Sequence, residues 1–288
     1  MRIAVLSGKG GTGKTLVSVN LAAVAGKAAY VDCDVEEPNG HLFLKPEQVE
    51  TREVTVKIPV VEDSLCTACR ICTEFCRFNA LALVREKLLI FEEICHSCGG
   101  CTLLCPQKAL WEKDKVIGKV EAGSSGEVRV LSGIMNTGEE SGVPVIKALL
   151  RALPELDREG DVFIDCPPGS ACTVMESIQD ADFCVLVAEP TRFGAQNLSM
   201  VHELVEVFHK PHGVVLNKVL EGEEDPSEEY CKSKGVKILG RIPFDRHLGN
   251  LNAGGRVVSR EEEAYRTLFE GLLQGIRKEV RHEAAAGA

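Results

Sequence analysis

Residues 7–15 read SGKGGTGKT, and no other stretch of the chain limits the available folds so tightly. From Gly8 to Thr15 the segment fits G-x-x-x-x-G-K-[ST], a loop that works only between a buried strand and a helix N-terminus. Both flanks comply. Residues 2–7, RIAVLS, form a short apolar run, and residues 15–27 carry Val17, Leu21 and Val24 at helical spacing. Gly8, Gly10, Gly11 and Gly13 permit torsions that aim the backbone N–H groups of the loop, Thr12 included, at phosphate oxygens. Lys14 is placed to reach the outer phosphates and the Thr15 hydroxyl to ligate Mg²⁺, while the helix dipole favours the anion.

The remaining periodicity agrees. AAYVDCD, DVFIDC, FCVLVAE, GVVLNK and VKILGRIP are short continuous apolar runs, with helical stretches at 145–153 and 198–208 among them. Such alternation predicts a doubly wound, mostly parallel α/β sheet covered by helices on both faces. A length of 288 residues suggests two units, and 5% aromatic content leaves the core to Ala, Val, Leu and Ile. The net charge of −10 argues against a nucleic-acid or anionic-lipid partner. No run nears the ~18 apolar residues of a membrane span, so no stable membrane insertion is expected. The opening apolar stretch is too short for a signal peptide, and thirteen cysteines then point to metal ligands in a reducing cytoplasm.

One segment, residues 62–112, breaks the rhythm and contains a repeat. Cys66, Cys69, Cys72 and Cys76 recur as Cys95, Cys98, Cys101 and Cys105, each at the same offset (95 − 66 = 29). CRFNALAL is echoed by CPQKALWE, so two equivalent halves about a pseudo-twofold axis are expected. Each half reads C-x2-C-x2-C-x3-C, a spacing that resembles bacterial two-cluster ferredoxins. That resemblance implies two [4Fe–4S] clusters with exchanged fourth ligands. One would take Cys66, Cys69, Cys72 and Cys105, the other Cys76, Cys95, Cys98 and Cys101. Arg77 stands where a proline is usual, which removes no ligand. Two four-cysteine zinc sites are the rival reading, although zinc modules usually present separated C-x2-C pairs. Cys33, Cys166 and Cys184 lie in apolar strand runs and read as small hydrophobes, with Cys172 and Cys231 isolated.

A second lysine early in the loop, Lys9, carries further information. GKGGTGKT resembles the deviant Walker A motif of the MinD/ParA/Mrp ATPases and the nitrogenase iron protein. In that family the early lysine reaches across a nucleotide-sandwich dimer, so the resemblance implies ATP hydrolysis with Lys9, Lys14 and Asp34 as catalytic residues. VDCDVEEPN resembles the family's switch I, with Asp34 positioning the attacking water; Asp32 is either a supporting carboxylate or a solvated strand end. VFIDCPPG resembles Walker B running into switch II and places Asp165 with Thr15 on the magnesium shell. VVLNK would set Asn217 at the purine edge, and GRIPFDRHLGN would bring Pro243 and Asp245 near the base. Cys166 and Cys172 do not match the cluster cysteines of the nitrogenase iron protein, and Cys231 lacks the C-x-x-C partner of Mrp-type carriers.

The expected organisation is thus an ATPase domain at 1–61 and 113–282, an inserted α+β ferredoxin-like domain at 62–112, and a disordered tail at 283–288. An apolar stripe including Tyr265, Phe269, Leu272 and Ile276 predicts a C-terminal helix docked on the core. Two functions fit this reading. One is a dimerising ATPase that couples nucleotide binding to an iron–sulfur event, electron transfer or cluster or metallocofactor maturation, with a redox or iron–sulfur partner protein. The other is a MinD-like positioning switch whose clusters are structural or redox-sensing. The dimer would form with itself or with a paralogous ATPase. Anaerobically purified protein is expected to carry about eight irons per chain by metal analysis. Cys76→Ser should damage the cluster of Cys95, Cys98 and Cys101, and zinc in place of iron would refute the assignment.

Overall fold

The computed structural model describes residues 1–156 and 160–286. Strand β1 (Arg2–Leu6) feeds the glycine loop into helix α1 (Lys14–Val24). The helix stops three residues short of expectation because Gly26, at φ 77°, takes the left-handed conformation that ends helices. Strand β2 (Ala28–Asp32), buried throughout, leads through an acidic loop to the short helix α2 (Gly40–Leu44). A long strand β3 (Glu47–Val61) then carries the chain away from this core.

Between β3 and the equally long β6 (Leu110–Ser125) lie α3 (Ile71–Phe75), the hairpin β4 (Leu81–Val84) and β5 (Lys87–Ile90), and α4 (Gly100–Leu104). Arg85 and Glu86 both adopt positive φ, which gives the two-residue hairpin turn the twist its strands need. Gly126 at φ 62° turns β6 back into β7 (Val128–Met135). The alternation then resumes with α5 (Val143–Leu156), β8 (Asp161–Asp165), α6 (Cys172–Ile178), β9 (Phe183–Ala188) and α7 (Arg192–Val207). It continues through β10 (His212–Val219), α8 (Pro226–Lys234), β11 (Ile238–Pro243), α9 (Arg246–Ala253), α10 (Val258–Glu261) and α11 (Glu263–Ala286).

The main sheet runs β11-β10-β9-β1-β8-β2-β7-β6-β3. Pairing is parallel from β11 to β7, and β6 and β3 add an antiparallel edge that the apolar runs did not disclose. Two apolar layers cover the sheet, one around Ile146, Leu149 and Val201, the other around Val17, Phe163 and Phe269. Helix α11 docks through Phe269, Leu273 and Ile276, all buried, as the stripe suggests. Helix α11 continues to Ala286, into the stretch expected as a tail, where Glu283 and the alanines after it are strong helix formers. Residues 287–288 lie outside the described residues. Among the described residues no helix is long and apolar enough to cross a membrane.

Only the Gly118–Ser125 half of β6 pairs with β7; the Leu110–Ile117 half extends beyond it with β3 as a two-stranded ribbon. At the departure point the β3–β6 register shifts: Val54 faces Gly118 but Thr55 faces Val116, leaving Ile117 as an extra residue. A bulge of this kind bends and twists a ribbon. At the far end the 29-residue repeat becomes geometry. The pairs Leu81–Ile90 and Val84–Lys87 of the hairpin map onto Leu110–Val61 and Lys113–Ile58 of the ribbon. The last four residues of β3 and the first four of β6 are therefore the pseudo-twofold counterpart of β5 and β4.

Candidate functional site

The glycine loop, the acidic loop after β2 and the segment after β8 meet at the C-terminal ends of the central strands. They line a cleft of about 410 Å³, bounded by Gly10, Gly13, Lys14, Thr15, Asp34 and Pro168 among others. Gly13 sits at φ 99° as the residue before α1, and a Cβ there would come within 2.1 Å of the Asn217 amide. A Cβ on Gly8 would come within 2.2 Å of the Asn197 carbonyl oxygen. The loop is thus pressed between α7 and the end of β10, and at both places only glycine fits.

Lys14 is 7% exposed and donates to Asp165 Oδ1 at 2.7 Å, with Asp34 Oδ2 at 3.7 Å. Burial alone would depress the ammonium, but Asp165, Asp34 and Asp32 more than offset it and hold Lys14 well above its ordinary value. Tyr30, fully buried on β2, donates its hydroxyl to Asp165 Oδ2 at 2.8 Å. Asp34 is partly exposed to the cleft, and burial followed by nearby acids raises its pKa against the pull of Lys14. Thr15 opens α1 beside Lys14 and lines the same cleft.

Asp32 is not a solvated strand end. It is 1% exposed and accepts from the Gly40 N–H at 2.8 Å and the Asp34 N–H at 3.2 Å, so it cinches the acidic loop closed. Burial and the Asp165 charge push it up to about 7.

Lys9 lies on the rim, paired with Glu189 at the end of β9 and 5.9 Å from the centre of the Phe193 ring. Glu189 also receives Lys218 at 3.4 Å, and Lys218 donates to the Gly11 carbonyl at 2.8 Å. Burial would raise the Glu189 carboxyl, but Lys9 and Lys218 hold it below its ordinary value. Sequence reasoning passed over Tyr30, Glu189 and Lys218; the position of Glu189 at the end of a buried strand was the one available signal.

The base-side residues are placed differently from the rest. Asn217 is buried under the loop: its amide donates to the Thr12 carbonyl at 2.7 Å and its oxygen accepts from the Lys218 N–H. Asp245 caps α9 through the His247 and Leu248 N–H groups and accepts from the Tyr265 hydroxyl at 2.6 Å. Pro243 is exposed at the end of β11. The far wall of the cleft is instead Leu42, Phe43, Asn252 and Gly255.

The cysteine unit forms a second candidate site. Cys66, Cys69, Cys72 and Cys105 line one small cavity of about 20 Å³, together with Ile71, Leu83 and Pro106. Cys76, Cys95, Cys98 and Cys101 line another of similar size with Phe75, Phe78 and Leu81. Each cavity is thus lined by three cysteines of one half of the repeat and one of the other. All thirteen cysteines are free thiols. Among the described residues, no three or more His, Cys, Asp or Glu side chains converge closely enough to hold a single metal ion.

Left-handed residues repeat between the cysteines: Ala68 and Ser97 at φ 53°, Arg70 at 68° and Gly99 at 70°, Asn79 at 55° and Lys108 at 50°. Such turns aim successive N–H groups into a concavity that suits anions. The Ala109 N–H already donates to Cys105 Sγ at 3.3 Å. Burial pushes the thiols of Cys72, Cys95 and Cys101 up, so any ligand they bind must displace their protons.

Residues 3–258 match the family model for the CobQ/CobB/MinD/ParA nucleotide binding domain. An uncharacterised protein of Methanocaldococcus jannaschii is 30% identical, covering 76% of this chain and 80% of its own. An iron-sulfur cluster carrier protein of Pyrococcus abyssi is 24% identical over 85% of this chain and 74% of its own. The septum site-determining protein MinD of Pyrococcus horikoshii, solved with Mg-ADP, superposes with a TM-score of 0.58 at 20% identity, over 96% of this chain and 95% of that one.

The placement of Asn217 has a direct test. Asn217→Ala strips the buried Thr12 carbonyl of its donor and is expected to lower the stability of nucleotide-free protein by ~1–3 kcal/mol in urea unfolding. An unchanged unfolding midpoint combined with weakened ATP binding would instead make Asn217 a base contact.

Proposed function

Because the chain belongs to the CobQ/CobB/MinD/ParA nucleotide-binding family, we propose that it is an ATP-dependent, dimerising ATPase whose nucleotide state controls an iron–sulfur event. One observation carries the reading: a phosphate-loop cleft and two cavities each lined by four cysteines are joined through one β-ribbon. The carrier name of the Pyrococcus abyssi relative supports the same direction. Likeness to the MinD structures supports the fold, and the positioning-switch alternative has no such observation behind it.

At the cleft, Lys14 would leave Asp165 for the outer phosphates of ATP. Asp32, Asp34 and Asp165 set three carboxylates against the one ammonium of Lys14, an excess that suits a divalent cation. Thr15 and Asp165 are the residues to hold Mg²⁺, which would neutralise phosphate charge when bound. Asp34 borders the cleft with one carboxylate oxygen towards Lys14, where it would orient the attacking water. Lys9 would have to release Glu189 before reaching a second protomer, so its ion pair within the chain opposes dimerisation until ATP supplies a stronger anion.

At the cysteine cavities, eight thiols and the left-handed turns around them fit a donor set for two anionic clusters. Cys66, Cys69, Cys72 and Cys105 would hold one, and Cys76, Cys95, Cys98 and Cys101 the other. Four-iron clusters held there would supply one-electron transfer or be passed on as cargo. The unit of residues 62–112 is the part proposed to act on the redox or maturation partner. The acidic loop cinched by Asp32 leads through α2 into β3, so rearrangement at Asp34 would be transmitted along the ribbon.

Lys14→Ala is expected to abolish tight ATP binding in calorimetry. Lys9→Ala should leave monomer binding intact while suppressing ATP-dependent dimerisation, with turnover falling by ~10³-fold as for loss of a trans-acting cationic finger. Hydrolysis by Lys9→Ala at the parent rate would sink the dimer mechanism. Coupling to the cysteine unit is read by redox titration of Asp34→Asn protein with and without Mg-ATP. Linkage is reciprocal, and a tenfold affinity difference corresponds to about 59 mV for one electron, so a shift of tens of millivolts is expected. Superimposable titrations with equal ATP affinity for oxidised and reduced protein would reject energetic coupling.

A further inference from the structure

We propose that Tyr30 is the positioning residue for Asp165: its hydroxyl keeps hold of that carboxylate when Lys14 leaves it for the phosphates of a bound nucleotide. The inference rests on the ATPase reading and adds a residue to it. Asp165 is 1% exposed and has two side-chain donors, which take different oxygens. Lys14 holds Oδ1 at 2.7 Å and Tyr30 holds Oδ2 at 2.8 Å. Lys14 cannot serve both Asp165 and a phosphate at full strength. A buried carboxylate that loses one donor with no other in place carries a heavy desolvation penalty.

Tyr30 is built to remain. Its side chain is fully buried on β2, and a Cβ on Gly40 would come within 2.2 Å of its ring and hydroxyl, so the backbone there closes over it. The same Gly40 donates its N–H to Asp32 at 2.8 Å, which fixes the end of the acidic loop against the ring. The hydroxyl is therefore aimed by packing from both sides and stays where it is when Lys14 moves. Phenylalanine would fill the same space without a polar group to satisfy, so the hydroxyl marks a function beyond packing.

The test is a double-mutant cycle read by calorimetric binding of a non-hydrolysable ATP analogue. Tyr30→Phe is expected to weaken binding about tenfold, the order of one hydrogen bond to a charged group. In an Asp165→Ala background the same substitution should leave the affinity unchanged. No loss in the first background, or an equal loss in both, would overturn the proposal; a purely structural role for Tyr30 gives the second pattern. Circular dichroism and thermal melting establish that each variant folds. If Tyr30→Phe does not fold, 3-fluorotyrosine at position 30, with Tyr230→Phe and Tyr265→Phe, keeps the ring and strengthens the donor. Binding should then tighten, and unchanged affinity would overturn the proposal. Wild-type protein that fails to bind the analogue would overturn the ATPase reading and this inference together, whereas normal wild-type binding isolates the role of Tyr30.

Discussion

One buried ammonium among three carboxylates organises the centre of this molecule. Lys14 is the first residue of α1, Asp32 ends β2, Asp165 ends β8 and Asp34 follows two residues after Asp32. Each group would be costly to bury alone, and together they leave the cluster short of positive charge. The protein meets the shortfall with backbone and hydroxyl donors: Gly40 and Asp34 N–H on Asp32, Tyr30 on Asp165. These bonds set the path of the acidic loop, and the ring that supplies one of them sets the backbone at Gly40. The strand ends, the glycine loop and the route to β3 are consequences of one electrostatic balance.

The second organising constraint is the antiparallel edge. Parallel strands need long crossovers, but β7, β6 and β3 connect by one tight turn and one long excursion. Because β6 outruns β7, its free half and its β3 partner serve both as host sheet and as one hairpin of a duplicated unit. The pseudo-twofold register ends at the Ile58–Lys113 pair, and the ladder continues unbroken to the bulge at Ile117, where the ribbon leaves the rest of the sheet.

Features encoded by local spacing were legible before any coordinates. The glycine loop, the apolar runs of the parallel strands and the 29-residue cysteine offset all depend on neighbours in sequence, and the parallel strands form where those runs predict them. What escaped depends on distant partners. Tyr30 meets Asp165 across 135 residues, and Lys9 meets Glu189 across 180. Neither pairing leaves a periodic trace. Asn217 has the expected residue type after the expected strand, and its bond to the Thr12 carbonyl beneath the loop, close against Gly13, depends on a partner 205 residues away. Asp32 could not be told from a solvent-facing acid, since its burial is decided by α2 folding over it. The edge strands were missed for the opposite reason: residues 53–58, EVTVKI, alternate polar and apolar, a pattern distinct from the continuous apolar runs of the parallel strands.

The ribbon also bears on how such a chain could arise. Val61 and Leu110 are directly paired across the ladder, so the segment between them begins and ends at two points about 5 Å apart. An insertion entering and leaving through adjacent rungs demands no new register in the sheet it joins. Any hairpin tip can receive such a cassette, and its removal with a two-residue turn in its place would restore an ordinary β-hairpin.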